Sequence, residues 1–221
     1  MDAVLADLRR LMSLQTGDEK HDASATSTLD VLAVLYERVL RFDPARPDWP
    51  ERDRFLLSKG HGPMAFYAVL ARMGYFPEHE LPRFLRRDGI LGAHPDRDLV
   101  PGVEASTGSL GHGLPMAVGV AHALHSRGLS EPRVFVLCGD AELNEGSNWE
   151  AILYAGTQPL DNLTLIVVDN HSGTLSMGRI AEKFASFGWS ASTVDGHDHD
   201  AIESALRVRA DVPSAVVAEV A

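Results

Sequence analysis

Two apolar runs in the chain end in polar residues of kinds that bind hard cations. VFVLC ends in Gly139-Asp140, and LTLIVV ends in Asp169-Asn170. Asp140 and Asn170 stand thirty positions apart, room for one helix with its loops. A right-handed crossover sets the ends of neighbouring parallel strands side by side. Ligands of open parallel sheets bind just beyond those ends. One carboxylate and one amide oxygen leave most positions on a cation open, which suits magnesium completed by water and phosphate oxygens. Asp and Asn are also ordinary turn formers after a strand, so spacing alone leaves both readings open.

A glycine-rich stretch, Thr107-Gly108-Ser109-Leu110-Gly111-His112-Gly113, precedes a helical segment. Glycine lets backbone approach a ligand closely, and bare N–H groups at a helix start can face an anion. The stretch matches neither G-x-G-x-x-G nor G-x-x-x-x-G-K-[ST], and tight helix packing accounts for such glycines equally well. His21, His61, His94 and His112 fall in loops or at element ends, the last three beside or near glycines. Such a set fits a pocket that hydrogen-bonds and moves protons. His79, His122, His125, His197 and His199 read as surface or turn residues, without the paired spacing of a zinc site. Asp140, Glu142, Glu145 and Glu150 crowd four carboxylates into eleven residues. Burying them requires a metal, shared protons or a partner, whereas a solvated helix start requires none of these.

These groups belong to a chain of 221 residues, 45% apolar and 23% charged. That is ordinary for a globular protein with a sizeable core. Twenty basic against thirty-one acidic residues give a formal charge of −11, which repels phosphate backbones and argues against nucleic acid as a partner. Cys138 is the single cysteine, so no internal disulfide forms and a reducing, cytoplasmic setting is expected. The charged N-terminus lacks the apolar run of a signal peptide. No stretch is long and apolar enough to span a bilayer. The basic residues are seventeen Arg and three Lys, in keeping with a GC-rich bacterial genome.

Residues 1–25 are expected to form an N-terminal arm, a helical turn or two followed by polar chain, and residues 26–221 a single domain. Apolar positions at helical spacing predict a helix over 27–42, capped at Ser27 or Thr28. Residues 43–53 hold three prolines and read as a loop. Strands are predicted at 54–57, 133–138, 163–168, 189–194 and 215–220. Helices are predicted at 62–74, 78–87, 116–126, 147–156 and 199–210. Residues 88–115 show little regular pattern, and so long a loop is commonly functional. Buried strands alternating with helices predict an α/β domain, a parallel β-sheet flanked by helices.

Taken together, DRFLLSKGHGPMAFYAVLARMGYF, GAHPD, PGVEASTGSLGHGLPMAVGVA, GDAELNEGSNWEA, LDNLTLIVVDN and FGWSASTVDGHD closely resemble the N-terminal half of transketolase, in the family's order. The resemblance implies the thiamine diphosphate-binding fold, with thiamine diphosphate and magnesium as cofactors. It implies metal ligands at Asp140, Asn170 and the backbone carbonyl of Ser172, with Gly139 and Ala141 completing the cofactor-facing turn. The Gly108-Ser109-Leu110 backbone is implied to meet the aminopyrimidine end of the cofactor. His61 is implied to touch the diphosphate and the reaction centre, and His94 the donor sugar's hydroxyl and carbonyl. His21 aligns with an early active-site histidine. Glu145 and Glu150 match acids that link two cofactor sites across the family's dimer interface. A diphosphate near acidic strand ends makes a bridging cation necessary on electrostatic grounds alone.

Departures from the family pattern carry expectations of their own. The metal run reads Gly139-Asp140-Ala141 where the family has a second glycine; a positive φ there would cost about 1 kcal/mol or more, whereas alanine is tolerable if only its N–H is used. Glycines flanking the early histidine are replaced by Lys20 and Asp22-Ala23-Ser24, His112 stands for a usual Gln, and His171 for a usual Lys. The sequence ends at VVAEVA, where the family runs on through a glycine-rich segment, so a less complete diphosphate pocket is expected on this side. The family's activating glutamate belongs to a second, pyrimidine-binding domain. The chain is therefore expected to need a separate C-terminal subunit, in an α2β2 heterotetramer, and not to turn over alone. The expected activity is that of a transferase moving a two-carbon ketol unit from a ketose to an aldehyde. The alternatives are two-carbon transfer to a carrier protein or 2-oxo acid decarboxylation in specialised metabolism, and a non-catalytic scaffold.

Overall fold

Strands rich in Val, Ile and Leu with no exposed face can pair only inside a sheet covered on both sides. In the computed structural model, which describes residues 1–16 and 22–221, five strands form one sheet, and the fourth in chain order alone departs from this pattern. They are β1 (Arg54–Leu57), β2 (Val134–Gly139), β3 (Leu163–Asp169), β4 (Ser190–Asp195) and β5 (Ser214–Glu219). All pairings are parallel, in the order β1-β2-β3-β5-β4. β2 and β3 are buried along their whole length, and β5 as far as Ala218. β4 (SASTVD) is the half-exposed edge.

The helices are α1 (Asp2–Ser13), α2 (Asp22–Ser27), α3 (Leu29–Val34), α4 (Met64–Arg72), α5 (Gly113–Ser126), α6 (Gly146–Gly156), α7 (Ile180–Ser186) and α8 (His199–Arg207). Side chains alternate across a strand with period two, and the two cores follow that alternation. Phe135, Leu137, Ile166, Val168, Val216 and Ala218 pack with α1, α3, α4 and α8. Val134, Val136, Cys138, Leu165, Val167 and Val217 pack with α5, α6 and α7. The parallel order sends every strand's carboxyl end to one rim, so Ser58, Asp140 and Asn170 leave the sheet on the same side.

Several elements differ from the sequence expectation. The helix expected over 27–42 is α2 and α3, joined at Thr28 and continued by a π turn over Leu35–Val39, in which Leu40 N–H reaches Leu35 O at 2.9 Å. Thr28 holds the capping position of α3, but its hydroxyl donates back to Ala25 O at 2.9 Å, and Ser27 Oγ likewise to Ser24 O. The helix expected over 78–87 is a short 3-10 turn, Glu78–Arg83, with Pro82 inside it. Helix α7 was not expected: only Ile180 and Phe184 of its seven residues are buried, too few to mark a period.

The segment read as an arm begins with three full helical turns. Leu5, Leu8 and Leu11 of α1 are buried in the same cluster as α4. Replacing Leu8 by Ala should cost about 2–5 kcal/mol, the penalty for emptying a core leucine site. Urea unfolding checks this: a single transition displaced to lower urea makes α1 part of the domain, and an unmoved midpoint makes it an appendage.

Candidate functional site

Three turns at the carboxyl rim meet. The chain leaves β1 through Ser58-Lys59-Gly60-His61, leaves β2 through Asp140, and leaves β3 through Asn170-His171-Ser172-Gly173. The β2–β3 register pairs Gly139 with Val168, so Asp140 lies beside Asp169 and one residue short of Asn170. Both carboxylate oxygens of Asp140 accept donors from the β3 turn, Oδ1 from Ser172 Oγ at 3.0 Å and Oδ2 from Gly173 N–H at 2.9 Å. His171 adopts φ 55°, a region that His, Asn and Asp enter more readily than other side chains. Asp169 Oδ1 holds it there, accepting from its backbone N–H at 3.1 Å and lying 2.9 Å from its Nδ1. That carboxylate pushes the exposed His171 imidazole up from its ordinary value.

Thr107 fastens the glycine-rich loop to the same rim. Its hydroxyl donates to Leu57 O at 2.6 Å, and its N–H to Pro95 O at 3.3 Å. Tyr67 of α4 donates to Gly92 O at 3.0 Å, anchoring the segment that carries His94. Two glycines are demanded by contact. A Cβ on Gly60 would lie 2.7 Å from Gly108 N, and one on Gly108, at φ +147°, would lie 2.6 Å from the His94 ring. His94, Gly108 and Gly60 are thereby stacked in van der Waals contact, which brings the three motifs into one place.

Buried charge surrounds the deep side. Glu142 is 1% exposed and accepts from Ser58 Oγ at 2.5 Å and from Gly111 N–H at 3.0 Å. Desolvation pushes its carboxyl up from the usual range. Burial likewise pushes the Cys138 thiol well up, leaving it an inert core group. Lys59 is buried and donates through Nζ to Ser24 O at 3.0 Å and Ser27 Oγ at 3.2 Å.

The structure brings His61, His94, Gly108, Asp140, Asn170 and Ser172 to the rim. Ser109 is exposed, and Leu110 is partly so. Ala141 opens a 3-10 turn, Ala141–Asn144, and is not among the described non-glycine residues with positive φ, so the loss of the family's glycine carries no backbone strain. Glu145 and Glu150 are exposed at and on α6. His112 is exposed ahead of α5 with Nδ1 3.0 Å from Leu110 O. His21 lies outside the described residues. Among the described residues, no three His, Cys, Asp or Glu side chains are placed to hold a metal. Among the described residues, no helix is long and apolar enough to cross a membrane. Sequence reasoning missed the Ser58–Glu142–Gly111 contact and the burial of Lys59. No local pattern separates Lys59 from an exposed lysine, since its partners Ser24 and Ser27 lie more than thirty positions away.

A polar site built on backbone turns at the carboxyl rim of a parallel sheet defines a ligand-binding α/β domain. The chain belongs to the transketolase family: its residues 4–218 match the family described as transketolase, thiamine diphosphate binding domain. It is 51% identical over 218 residues to "Ferredoxin fas2" of Rhodococcoides fascians, covering 97% of this chain and 71% of that protein. It is 42% identical over 185 residues to an apulose-4-phosphate transketolase subunit of Actinobacillus succinogenes, covering 80% of this chain and 67% of that protein. It is 39% identical over 193 residues to the 6-deoxy-6-sulfo-D-fructose transketolase subunit SqwG of Clostridium sp. (strain MSTE9), covering 84% and 70%. Among solved structures, transketolase from Leishmania mexicana superposes with a TM-score of 0.87 at 26% identity, over 99% of this chain and 36% of that one. An iron–sulfur cluster of the ferredoxin kind needs several thiolates, and this chain has one cysteine, buried in the core.

Burial lowers the Lys59 ammonium to about 8, with Asp140 and Glu142 pulling it back up. An unfolded lysine titrates near 10.4. Between those values the folded chain sheds a proton that the unfolded chain keeps, so this residue makes folding more favourable as pH rises through the window and least favourable below it. The stability of wild type relative to Lys59→Met should therefore rise by about 2 kcal/mol between about pH 7.5 and 9.5. Urea titrations at the two pH values check it; an unchanged difference would mean that the ammonium is solvated.

Proposed function

We propose that the chain is the N-terminal, cofactor-holding subunit of a two-chain thiamine diphosphate-dependent transketolase, a transferase moving a two-carbon ketol unit from a ketose to an aldehyde. One observation supports the reading: the turns after β1, β2 and β3 and the Gly108 loop are joined contact by contact, Asp140 to Ser172 and Gly173, Glu142 to Ser58 and Gly111, and Gly60 to Gly108, which packs against the His94 ring. The donors there suit magnesium, because Asp140, the Asn170 amide and the Ser172 carbonyl are all hard oxygens and leave room for phosphate. Those three residues would hold the cation. The backbone of Gly108, Ser109 and Leu110, the Gly139-Asp140-Ala141 turn and His61 would hold thiamine diphosphate. The cofactor supplies carbanion chemistry when bound. His61 would touch the diphosphate and the reaction centre, His94 would meet the donor sugar's hydroxyl and carbonyl, and His21 would be a third histidine of the site.

A separate subunit bearing the pyrimidine-binding domain would complete the site, in an α2β2 assembly within the cytoplasm. The subunit names of two relatives support this. So does the outer face of α5 and α6, where Met116, Leu153 and Tyr154 are exposed beside a groove of about 410 Å³ lined by His112, Pro115, Val118 and Glu150. Apolar side chains grouped beside a groove favour a protein partner there. A second reading keeps the cofactor and changes the acceptor to a carrier protein, or the reaction to 2-oxo acid decarboxylation; the altered sequence around His21 and the histidine at 112 favour it. The unstrained Ala141 removes one motive for a non-catalytic scaffold.

Co-expression with the pyrimidine-domain subunit should give a complex that binds thiamine diphosphate only with magnesium, and Asp140→Ala should lose that binding while still assembling. Calorimetry reads the binding, and a panel of ketose phosphates and 2-oxo acids reads the reaction. Full turnover by the purified chain alone would end the two-chain reading.

A further inference from the structure

Beneath the ligand-facing turns lies a carboxyl group with no part in the proposed reaction. The acid run could have been a solvated helix start, and for Glu145 and Glu150 it is, since both are exposed. Glu142 is the exception at 1% exposure. Its Oε1 accepts from Ser58 Oγ at 2.5 Å and from the Gly111 N–H at 3.0 Å, joining segments 84 and 31 positions away. Its own carbonyl accepts from Nδ2 of Asn148, a fully buried residue of α6, at 2.7 Å. Ser58 opens the turn that carries His61. Gly111 closes the loop that carries Gly108 and Leu110. Glu142 follows Asp140 by two residues. Packing leaves these segments no slack: a Cβ on Gly113 would stand 2.4 Å from Ser58 Cβ, and one on Gly111 would stand 2.6 Å from Glu145 Cβ.

We propose that Glu142 is a positioning residue that locks the turn after β1, the Gly108–Gly111 loop and the turn after β2 into one cradle before any ligand arrives. The inference rests on reading those turns as the cofactor site, and it says what sets their spacing. A loop ordered in advance spares the ordering cost at binding. Without the acceptor, a buried hydroxyl and a buried N–H lose their partner together, so both segments loosen. Glutamine keeps a carbonyl oxygen at the same reach and restores the acceptor; alanine does not.

Hydrogen exchange on the full chain, without cofactor or partner, tests this and does not depend on the functional reading. In Glu142→Ala, amides at 58–62 and 107–113 should exchange about ten- to a hundred-fold faster, while β2 and β3 keep their protection. Glu142→Gln should restore both segments. Ser58→Ala, a smaller change that guards against misfolding of the alanine variant, should loosen both segments to a lesser degree. Wild-type protection of both segments in Glu142→Ala, or equal damage by Gln and Ala, would overturn the proposal. In the two-chain complex, Glu142→Ala should raise the thiamine diphosphate concentration for half activity about tenfold, with kcat at saturation within about twofold. A fall in kcat alone would also overturn it.

Discussion

A parallel sheet buried on both faces leaves only its strand ends free to be polar, and those polar ends must be satisfied where they emerge. That constraint shapes the whole rim. Asp140 leaves a strand with no exposed residue and is met at once by Ser172 Oγ and Gly173 N–H. Ser58 leaves β1 and is met by Glu142. Lys59 follows and is met by Ser24 and Ser27 of α2. An unpaired polar group at this depth costs several times what a made hydrogen bond returns. The turns are consequently tied to one another before they are tied to anything else. Their convergence follows from the polarity of chain segments leaving an apolar core, and ligand binding inherits it.

How far the sequence announces this arrangement depends on which force fixes each part. β2 and β3 were legible because their burial is written as uninterrupted Val, Leu and Ile. Asp140 and Asn170 were legible because a strand end followed by a carboxylate or amide is a local pattern. The loop over 88–115 had no pattern to read, because it is held by single long-range bonds such as Thr107 to Leu57 and Tyr67 to Gly92. Two residues 50 or 25 positions apart leave no periodic trace. Glu142 was visible as one of four crowded acids, but nothing local separates it from Glu145, which is exposed. The difference is made by the identity of residues 58 and 111. Ala141 left open whether the turn is strained, and the chain turns there through a 3-10 conformation open to any L-residue.

Charge is distributed by the same logic. The chain carries a formal −11, yet its acids are not spread evenly over function. Many of the outer ones are paired with arginine, as Asp7 and Glu37 are with Arg72, and Glu104 with Arg52. Asp140 instead receives neutral hydroxyl and amide donors, with Lys59 acting through space rather than in contact. A guanidinium clamped on Asp140 would have filled the positions that a cation needs. Neutral donors fix the carboxylate's orientation and leave its compensation to Lys59 at a distance, an arrangement that suits the cation proposed above.

Depth divides the rim into two layers with different duties. Ser58, Lys59, Asp140 and Glu142 are buried, Ser58 and Glu142 bonded to each other, Lys59 to α2, and Asp140 to the turn after β3. His94, Ser109, His112 and Glu145 are exposed, although the packing of Gly108 and Gly111 holds two of them in place. In an enzyme that closes its site within one chain, the groups that touch substrate would be expected to lie deep, where water is excluded and electrostatics are strongest. Here His94 and Glu145 lie on the outside, each packed against a rim glycine. Water would have to be driven from them by whatever surface comes to cover that side. Exposed chemistry above a buried scaffold is what a site shared between two chains requires, since each half must fold with its own polar groups satisfied before the halves meet.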